Sequence, residues 1–553
     1  MREVGGTHRS PLPKALEDGA VRFDPPVFVH AARYEQHRCQ MGPALESTGC
    51  IATRTAACPV FAHSACPMSN RSRPVHGHPC PEGLPLDRTA PRELSNDPLE
   101  EAMTKSPLEQ SGWSRRRFIQ ASTAAAGLGL MPRRASAQAA PWAVRPSGNP
   151  SSVTFVVWQY GNIYQQIAQQ FEQDWGVKIN QIIEPNVEPQ VAKLTAMYAA
   201  GDAVDVSLSP MQYLASYIEQ GIAQPIDGLP GVDQYVKDFT PFTRAIAQRD
   251  GKTWGLPYFS TVWTFIYNDE MLAKAGFRGR PFTSYPELIE QAKKAKRDGA
   301  AKYPILWVAG AGFEQLPATW FSMTYNRGGI IFDRQLAPQL GPGSIARETL
   351  RWWQSTFKDE LADPNSLNLR FIPAVKAFNA GQHVYLGTLH HYYLSLVNDQ
   401  AQSPIAGKGR TLALPGDGKT IGYTMLYILC SATKNKEWAW KLLQYLGGRT
   451  KSGEYTQANR LATDAMLGSG YQSVMDSELL RKGWAKWGDV PTILNIWSKA
   501  ANFADVVPAV SQPWYPRWND AMNVELTSCL QGKTSADQAC DNMVAAIARA
   551  KKA

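Results

Sequence analysis

Apolar and polar positions form three successive strand–helix units between residues 153 and 220. The run VTFVVW is rich in β-branched residues, which is typical of a buried strand. Ile163, Ile167, Phe171 and Trp175 then recur every four residues, which predicts a helix with one buried face. VKINQII and DVSLSP repeat the strand pattern, and each is followed by a helical segment that ends at a glycine. Three such units in succession predict a parallel sheet with helices on both faces.

The pattern changes after the third unit, where extended runs separate helices and short strands. Leu256–Asn268 and Ile421–Thr433 are two long stretches of mostly apolar, β-favouring residues. Between them, apolar periodicity predicts helices over Tyr285–Arg297 and Ile345–Lys358, and the last third of the chain is helical. The sequence therefore predicts a second mixed α/β unit that extended crossing segments join to the first.

Four motifs in the later part of the chain resemble those of one known family. FIYNDEMLAKAG contains the family's Tyr-Asn pair and its later aliphatic and charged positions, which Tyr267, Asn268, Leu272 and Lys274 supply. SYPELIEQAKKAK, SATKNKEWAWKLLQYLGG and GKTSADQACDNM follow in the family's order. In these motifs the chain resembles the family 1 extracellular solute-binding proteins, the maltose-binding type of ABC-transporter receptor. The resemblance covers essentially all of Val153–Ala550.

The resemblance implies an α/β, two-lobed periplasmic-binding-protein fold of type II, with the ligand cleft between the lobes and the crossing segments as the hinge. It implies that 138–260 and 421–480 form the first lobe, while 261–420 and most of 481–553 form the second. The implied function is that of a monomeric periplasmic receptor. Such a receptor binds a small molecule, closes around it, and delivers it to the permease subunits of an ABC importer.

A segment far from the start of the chain has the three-part plan of an export signal. The motif SRRRFI places Arg115 and Arg116 before Phe118, which resembles the twin-arginine signal that the Tat translocase reads. A mildly apolar run follows, and ASA at 135–137 provides a cleavage site with small residues at both ends. Residues 103–137 are therefore predicted to be a Tat-type signal peptide, whose removal leaves a soluble protein in the periplasm.

Residues 1–102 differ in character from the rest of the chain and keep no strand or helix period for long. They hold five of the eight cysteines and six of the nine histidines. One hypothesis is a metal site on His76, His78 and Cys80, but the cysteine spacings are irregular. The hypothesis we favour is that translation starts at Met103, which makes the upstream segment a non-native or disordered extension.

Charge and composition argue against several classes of partner. The formal charge is +9 for the whole chain and +5 for residues 138–553, with 40 Lys and Arg against 35 Asp and Glu. The basic residues are scattered, which argues against nucleic-acid binding. No apolar stretch in residues 138–553 is long enough to span a bilayer. The common hydrolase, metalloprotease and dinucleotide motifs are absent, so we expect a binding protein without a cofactor rather than an enzyme.

Two cysteines near the C-terminus flank a predicted helical hairpin. Gly532 is typical of a helix end, and Thr534 with Asp537 three residues later predicts a capping box for the next helix. A tight hairpin would bring Cys529 and Cys540 together in an oxidising compartment. The sequence leaves open both a disulfide between them and a pair of free thiols.

A cleft that binds a sugar needs aromatic rings for the apolar faces of the pyranose and planar polar groups for its hydroxyls. Loops at strand ends, together with positions that match the family's ligand contacts, supply both kinds of side chain. The candidates are Trp158, Tyr160, Asn162, Ser209, Gln212, Thr261, Trp263, Glu314, Trp320, His390, His391, Tyr392, Tyr393, Tyr423, Trp514, Tyr515 and Trp518. The run HHYYLS stands out, since four large residues with polar tips cannot all be buried. No metal site is expected at its histidine pair, because a third ligand at suitable spacing is missing.

The residues leave the ligand and one rival function open. A disaccharide, a monosaccharide, a polyol or a glycerophosphate would each fit an aromatic cleft. A phosphate would call for an arginine or lysine clamp, and no basic cluster falls in the candidate loops, so a neutral carbohydrate is the leading prediction. The rival function is a Tat-exported hydrolase acting on glycans, because sequence alone does not exclude a pair of catalytic carboxylates.

Overall fold

The computed structural model of the protein describes residues 139–159, 163–312 and 314–552. The predicted ligand residues Tyr160 and Asn162 lie outside these ranges, as do the predicted export signal and residues 1–102. Within the described part of the chain, no helix is both long enough and apolar enough to cross a membrane.

The strands of the described ranges form one large mixed sheet and one small two-stranded sheet. The large sheet has the neighbour order β2-β1-β3-β11-β7-β9-β8, with β4 and β12 beside β11 and β10 beside β7. β5 and β6 form the small sheet. The strands are β1 (Ser152–Trp158), β2 (Lys178–Glu184), β3 (Val206–Ser209), β4 (Ala223–Gln224), β5 (Gln248–Arg249), β6 (Lys252–Thr253), β7 (Leu256–Asn268), β8 (Ile305–Trp307), β9 (Tyr385–His390), β10 (Gly409–Leu412), β11 (Thr420–Cys430) and β12 (Ala500–Asn502).

Helices cover the faces of the large sheet and build the C-terminal third of the described chain. They are α1 (Ile163–Trp175), α2 (Val187–Ala199), α3 (Leu214–Glu219), α4 (Val232–Asp238), α5 (Pro241–Ala247), α6 (Asp269–Lys274), α7 (Tyr285–Arg297), α8 (Gln315–Asn326), α9 (Ile345–Lys358), α10 (Phe371–Asn379), α11 (Leu394–Val397), α12 (Lys436–Gly447), α13 (Thr456–Ala465), α14 (Gln472–Met475), α15 (Glu478–Trp484), α16 (Val490–Ser498), α17 (Phe503–Val506), α18 (Tyr515–Leu530) and α19 (Ala536–Lys552).

The first lobe has the parallel arrangement that its three strand–helix units predict. β1 pairs in parallel with β2 on one side and with β3 on the other. The residues predicted to form the buried face of α1, including Ile163, Phe171 and Trp175, are all buried. The segment after β3 differs slightly from the prediction, because it begins with a 3-10 turn over Met211–Tyr213 before α3.

Two long antiparallel strands, β7 and β11, connect the two halves of the sheet. β11 also pairs with β3 of the first lobe, whereas β7 also pairs with β9 of the second. All residues of β7 are buried except Tyr267, which is half-buried, and all of β11 are buried, so both strands run through the interior. Gly422 on β11 leaves room for β7, because a Cβ there would lie 2.9 Å from the carbonyl oxygen of Thr261. The two predicted crossing segments are therefore extended strands, the first with the predicted bounds and the second ending at Cys430 rather than at Thr433.

The C-terminal hairpin of α18 and α19 departs from the sequence prediction at its helix cap, and it decides between the two cysteine states that the sequence leaves open. Ser535, and not Thr534, caps α19, since its Oγ accepts a hydrogen bond from the backbone N–H of Gln538 at 3.1 Å. Cys529 and Cys540 are free thiols that are both fully buried, so the disulfide is not formed. Burial raises the pKa of each thiol to about 12, which disfavours the thiolate that oxidation requires.

Candidate functional site

A buried carboxylate, that of Glu314, lies where the two lobes meet. Its Oε1 accepts a hydrogen bond from the hydroxyl of Tyr423 at 2.7 Å and lies 3.2 Å from Nε2 of His390. Its Oε2 accepts a hydrogen bond from Nε2 of Gln212 at 3.2 Å. Glu314 is only 5% exposed, and each of the other three is 2% exposed or less. We call these four residues the cleft cluster.

The register of the crossing strands explains how the cleft cluster is assembled. Tyr423 on β11 lies opposite Thr261 on β7, and Trp263 lies opposite His390 at the end of β9. Because side chains two positions apart share one face of a strand, Thr261 and Trp263 point toward the same region. Glu314 reaches that region from the residue preceding α8, where its side chain makes no capping bond to the helix.

Gln212 is the contribution of the first lobe to the cleft cluster. It follows the end of β3, and the 3-10 turn over Met211–Tyr213 directs its amide toward Glu314. Its Nε2 makes the bond to Glu314, but its Oε1 is buried and has no hydrogen-bond partner among the residues that the structure describes. A buried acceptor without a hydrogen bond lowers the stability of the fold, unless a ligand or water supplies the donor.

The histidine pair at the end of β9 is held in a neutral environment. Nδ1 of His390 and Nδ1 of His391 lie 3.2 Å and 3.3 Å from the hydroxyl oxygen of Thr261. Burial lowers the pKa of His390, and the neighbouring Glu314 opposes that shift. Burial, followed by the effect of His390, lowers the pKa of His391 to about 3. The sequence analysis predicts that the four large residues of HHYYLS are not all buried. Tyr392 is half-buried, as this prediction requires, but both histidines and Tyr393 are buried.

Aromatic rings pack around the cleft cluster. The indole of Trp263 lies 4.2 Å from the ring of His390 and 5.4 Å from that of Tyr423, measured between centroids. Tyr392 stacks on His390 at 5.2 Å, and Phe371 at the start of α10 lies 4.6 Å from the same imidazole. The ring of Phe371, the first residue of α10, is a contact that the sequence analysis did not predict.

Tyr515 also faces the cleft cluster, whereas its tryptophan neighbours do not. Burial raises the pKa of the Tyr515 phenol, and the negative charge of Glu314 adds to that rise. Nε1 of Trp518 donates a 2.9 Å hydrogen bond to the carbonyl of Met543 in α19, and its ring packs on Phe332. Trp514 also packs on Phe332, beneath the ammonium of Lys551. The prediction of ligand platforms at Trp514 and Trp518 does not agree with this placement between helices.

Trp320 is a third predicted platform that the structure places in the core. It is fully buried on α8, and its Nε1 donates a 2.9 Å hydrogen bond to the carbonyl of Ala346. Ser209 at the end of β3 is buried, with its hydroxyl 3.3 Å from the carbonyl of Pro210. Trp158 is half-buried at the end of β1 and packs against the main core. None of these three has a contact with the cleft cluster among the hydrogen bonds and ring contacts of the described residues.

A second contact between the lobes lies at the edge of the site and was not predicted. NH2 of Arg370, just before α10, lies 2.8 Å from Oε1 of Glu188 at the start of α2. The two side chains are 32% and 42% exposed, so solvent screening limits the pair to about 0–1 kcal/mol. Burial, followed by the charges of Asp520 and Glu188, raises the pKa of the nearby Tyr213 to about 12. The strand-end rule, if applied to β2 as well, would have drawn attention to Glu188.

Comparison with known proteins identifies a family and relatives of this chain. The family model described as "Bacterial extracellular solute-binding protein" matches residues 158–450, just over half of the chain. A binding protein of Brucella abortus strain 2308 is 26% identical over 322 residues, which are 57% of this chain and 76% of that relative. A binding protein of Brucella suis biovar 1 matches over the same extent.

Solved structures share the fold at low sequence identity. The maltose-bound MalE3 of T. maritima superimposes with a TM-score of 0.61 at 20% identity, covering 71% of this chain and 98% of that one. A solute-binding protein of Agrobacterium vitis S4 with bound D-mannitol gives a TM-score of 0.60 at 19% identity, covering 72% and 98%. The GacH receptor of Streptomyces glaucescens, solved with acarbose, gives 0.59 at 19% identity, covering 72% and 98%. The two-lobed α/β fold expected from the sequence is thereby confirmed.

Proposed function

Because this chain belongs to the bacterial extracellular solute-binding proteins, we propose that it is the receptor of an ABC importer and holds a polyhydroxylated small molecule between its lobes. The observation that carries the proposal is the cleft cluster. Residues from the first lobe, the second lobe and a crossing strand converge there in a water-poor environment. A site of this kind discriminates among ligands by matching hydroxyl groups, because each unpaired buried polar group costs about 1–3 kcal/mol.

The nature of the cleft supports a sugar or a polyol as ligand. Carboxylate, amide, phenol and imidazole groups are suited to donate to and accept from hydroxyls, and the Trp263 ring offers an apolar face. The structural neighbours named above were solved with maltose, D-mannitol and acarbose, which are all polyhydroxylated. A glycerophosphate has less support, because the described arginine at the cleft edge, Arg370, is already paired with Glu188.

The mechanism that we propose is closure of the lobes around the ligand. β7 and β11 would act as the hinge, since they are the strands shared by both halves of the sheet. The closed form would then be recognised by membrane permease subunits on other chains. We further propose that a Tat-type signal exports the protein to the periplasm and that it is a monomer there.

Calorimetric titration of the purified protein with maltose, glucose, mannitol and glycerol 3-phosphate tests the ligand class. We expect at least one sugar or polyol to bind, with a gain of about 2.7 kcal/mol in stability at 100 times its Kd. Small-angle scattering should show a smaller radius of gyration with that ligand present. Binding of glycerol 3-phosphate in preference to every neutral compound would contradict the proposal.

The glycan hydrolase considered from sequence gains no support from the site. The side chain that approaches Glu314 from the other lobe is the amide of Gln212, which does not serve as a second acid or base. Incubation of the protein with a saturating ligand, followed by mass spectrometry, should return the ligand unchanged. Accumulation of a hydrolysis product at a rate that Glu314→Gln abolishes would instead establish the enzyme.

A further inference from the structure

The charge of the cleft narrows the ligand class further, and this inference rests on the proposed function. Among the described residues, the side chains bonded to Glu314 are the Tyr423 phenol, the Gln212 amide and the His390 imidazole, and burial lowers the pKa of that imidazole, which favours its neutral form. In the described ranges, no lysine or arginine nitrogen lies within 4.0 Å of its carboxylate. A buried carboxylate without a counter-charge is costly, so a positive charge supplied by the ligand would be favourable there.

Two further features suit a cation at this position. Oε1 of Gln212, which has no hydrogen-bond partner within the described ranges, belongs to the amide that contacts Glu314, so it offers a second acceptor beside the carboxylate. The Trp263 indole is fully buried against His390 and Tyr423, and it would present an aromatic face to a ligand once the lobes open. An ammonium group donates up to three hydrogen bonds and is attracted to aromatic faces.

The charged groups at the edge of the cleft do not offset the negative charge of Glu314. Arg370 is the positive charge there, and its ion pair with Glu188 neutralises it. Asp520 adds a further negative charge near Tyr213. An anionic ligand would therefore meet uncompensated carboxylates, whereas a cationic one would meet complementary charge.

We propose that the ligand is a polyhydroxylated molecule carrying a protonated amino group, which Glu314 and the Gln212 amide oxygen receive. Its hydroxyl-bearing skeleton satisfies the remaining polar groups of the cleft. The corresponding sugar acids and sugar phosphates are excluded by charge repulsion.

Two series of matched probes test the proposal by calorimetry at pH 7. Sorbitol, glucamine and gluconate share one carbon skeleton, and glucose, glucosamine and glucuronate share another. In at least one series, the amine should bind at least tenfold more tightly than the neutral compound, and the acid should not bind. Glu314→Gln should reduce the preference for the amine to less than threefold. Glu290→Gln makes the same change on an exposed face of α7 and should leave the preference intact.

The preference can also be tested without any substitution. Raising the pH until the probe's amine is deprotonated should remove it in the unaltered protein. His390, Tyr423 and Tyr515, the titratable groups that face Glu314, are all in their neutral forms at pH 7 and stay so as the amine deprotonates, because the pKa of His390 is lowered and those of the two phenols are raised.

Each outcome of these titrations is decisive. If the neutral compounds bind as tightly as the amines, the charge proposal is wrong and the receptor proposal stands. Tighter binding of an acid contradicts the charge proposal in the same way. If no member of either series binds, the charge proposal is wrong, and the receptor proposal is decided separately by the titrations with maltose and mannitol.

Discussion

Gln212 and Glu314 are 102 positions apart in the chain, and their side chains meet at 3.2 Å where the two lobes face each other. The bond joins a residue that follows β3 to one that follows β8, on opposite sides of the crossing strands. It is therefore both a part of the proposed ligand site and a link between the lobes. A ligand that pairs with Gln212 would replace this link with one through itself.

Gln212→Ala should weaken ligand binding without unfolding the protein. Losing one buried hydrogen-bonding group costs about 1–3 kcal/mol, which corresponds to roughly a 5- to 150-fold rise in Kd. Calorimetric titration with the best ligand of the screen measures the change. Gln220→Ala, which removes an exposed glutamine at the end of α3, is the control and should bind normally. An unchanged Kd for Gln212→Ala would remove Gln212 from the site.

Tyr423→Phe and Trp518→Ala should separate ligand contact from core packing. Tyr423→Phe removes the hydroxyl that donates to Glu314 and should raise Kd while changing the melting temperature little. Trp518→Ala creates a cavity between α18 and α19 and should cost about 3–5 kcal/mol of stability. The folded fraction of the Trp518 variant should bind ligand normally. The opposite pattern would restore Trp518 as a ligand platform and place Tyr423 in the core alone.

The fold could be predicted well because its signals are local. The spacing of Ile163, Phe171 and Trp175 determines the buried face of α1. The predicted bounds of the helices Tyr285–Arg297 and Ile345–Lys358 are the observed bounds of α7 and α9. α18 begins at Tyr515, and Pro516 in its first turn is a start signal that the sequence analysis did not use.

The site was harder to predict because it depends on contacts between distant segments. Thr261, Glu314 and Tyr423 follow from strand ends and crossings, so rules of topology find them. A large aromatic residue near a strand end or a helix start looks the same whether it faces a cleft or a core. Trp518 carried an overlooked signal: Met522 and Leu526 follow at intervals of four, which marks the buried face of a helix.

Stability should fall on acidification as the buried histidines become protonated. The pKa of His391 is lowered from 6.5 to about 3, so the unfolded chain binds the proton more readily than the folded protein. The stabilisation is complete above pH 6.5 and is lost as the pH falls toward 3. Between pH 6.5 and 5, His391 should account for about 2 kcal/mol of lost stability, and His390 acts in the same direction. Urea unfolding at several pH values between 6.5 and 5 measures this loss of stability.

His391→Phe is the matched variant for the acid dependence. It retains a planar ring against Trp484 and Trp497 but removes the titrating group. The change in its free energy of unfolding per pH unit should be smaller by up to about 1.4 kcal/mol, the limit reached near pH 5. If the free energy of unfolding of the variant depends on pH as steeply as that of the unaltered protein, other groups cause the acid sensitivity.

Cys529 and Cys540 should be free and unreactive in the folded protein. Both thiols are fully buried with raised pKa values, so neither the thiolate nor access to a reagent is available. Alkylation under native conditions, followed by peptide mapping, should leave both unmodified, and alkylation in denaturant without reductant should modify both. A peptide pair that is lighter by two hydrogens and resists alkylation until reduced would establish the disulfide.

Export should depend on the arginine pair and leave a product that begins near Gln138. Replacing Arg115 and Arg116 with Lys keeps the charge but removes the pair that a twin-arginine signal requires, so the precursor should accumulate in the cytoplasm. The same substitution at Arg133 and Arg134 is the control and should permit export. Amino-terminal sequencing of the exported protein locates the cleavage site. Unimpaired export of the Arg115 and Arg116 variant would indicate the Sec route, and peptides from residues 1–102 in the exported product would contradict a start at Met103.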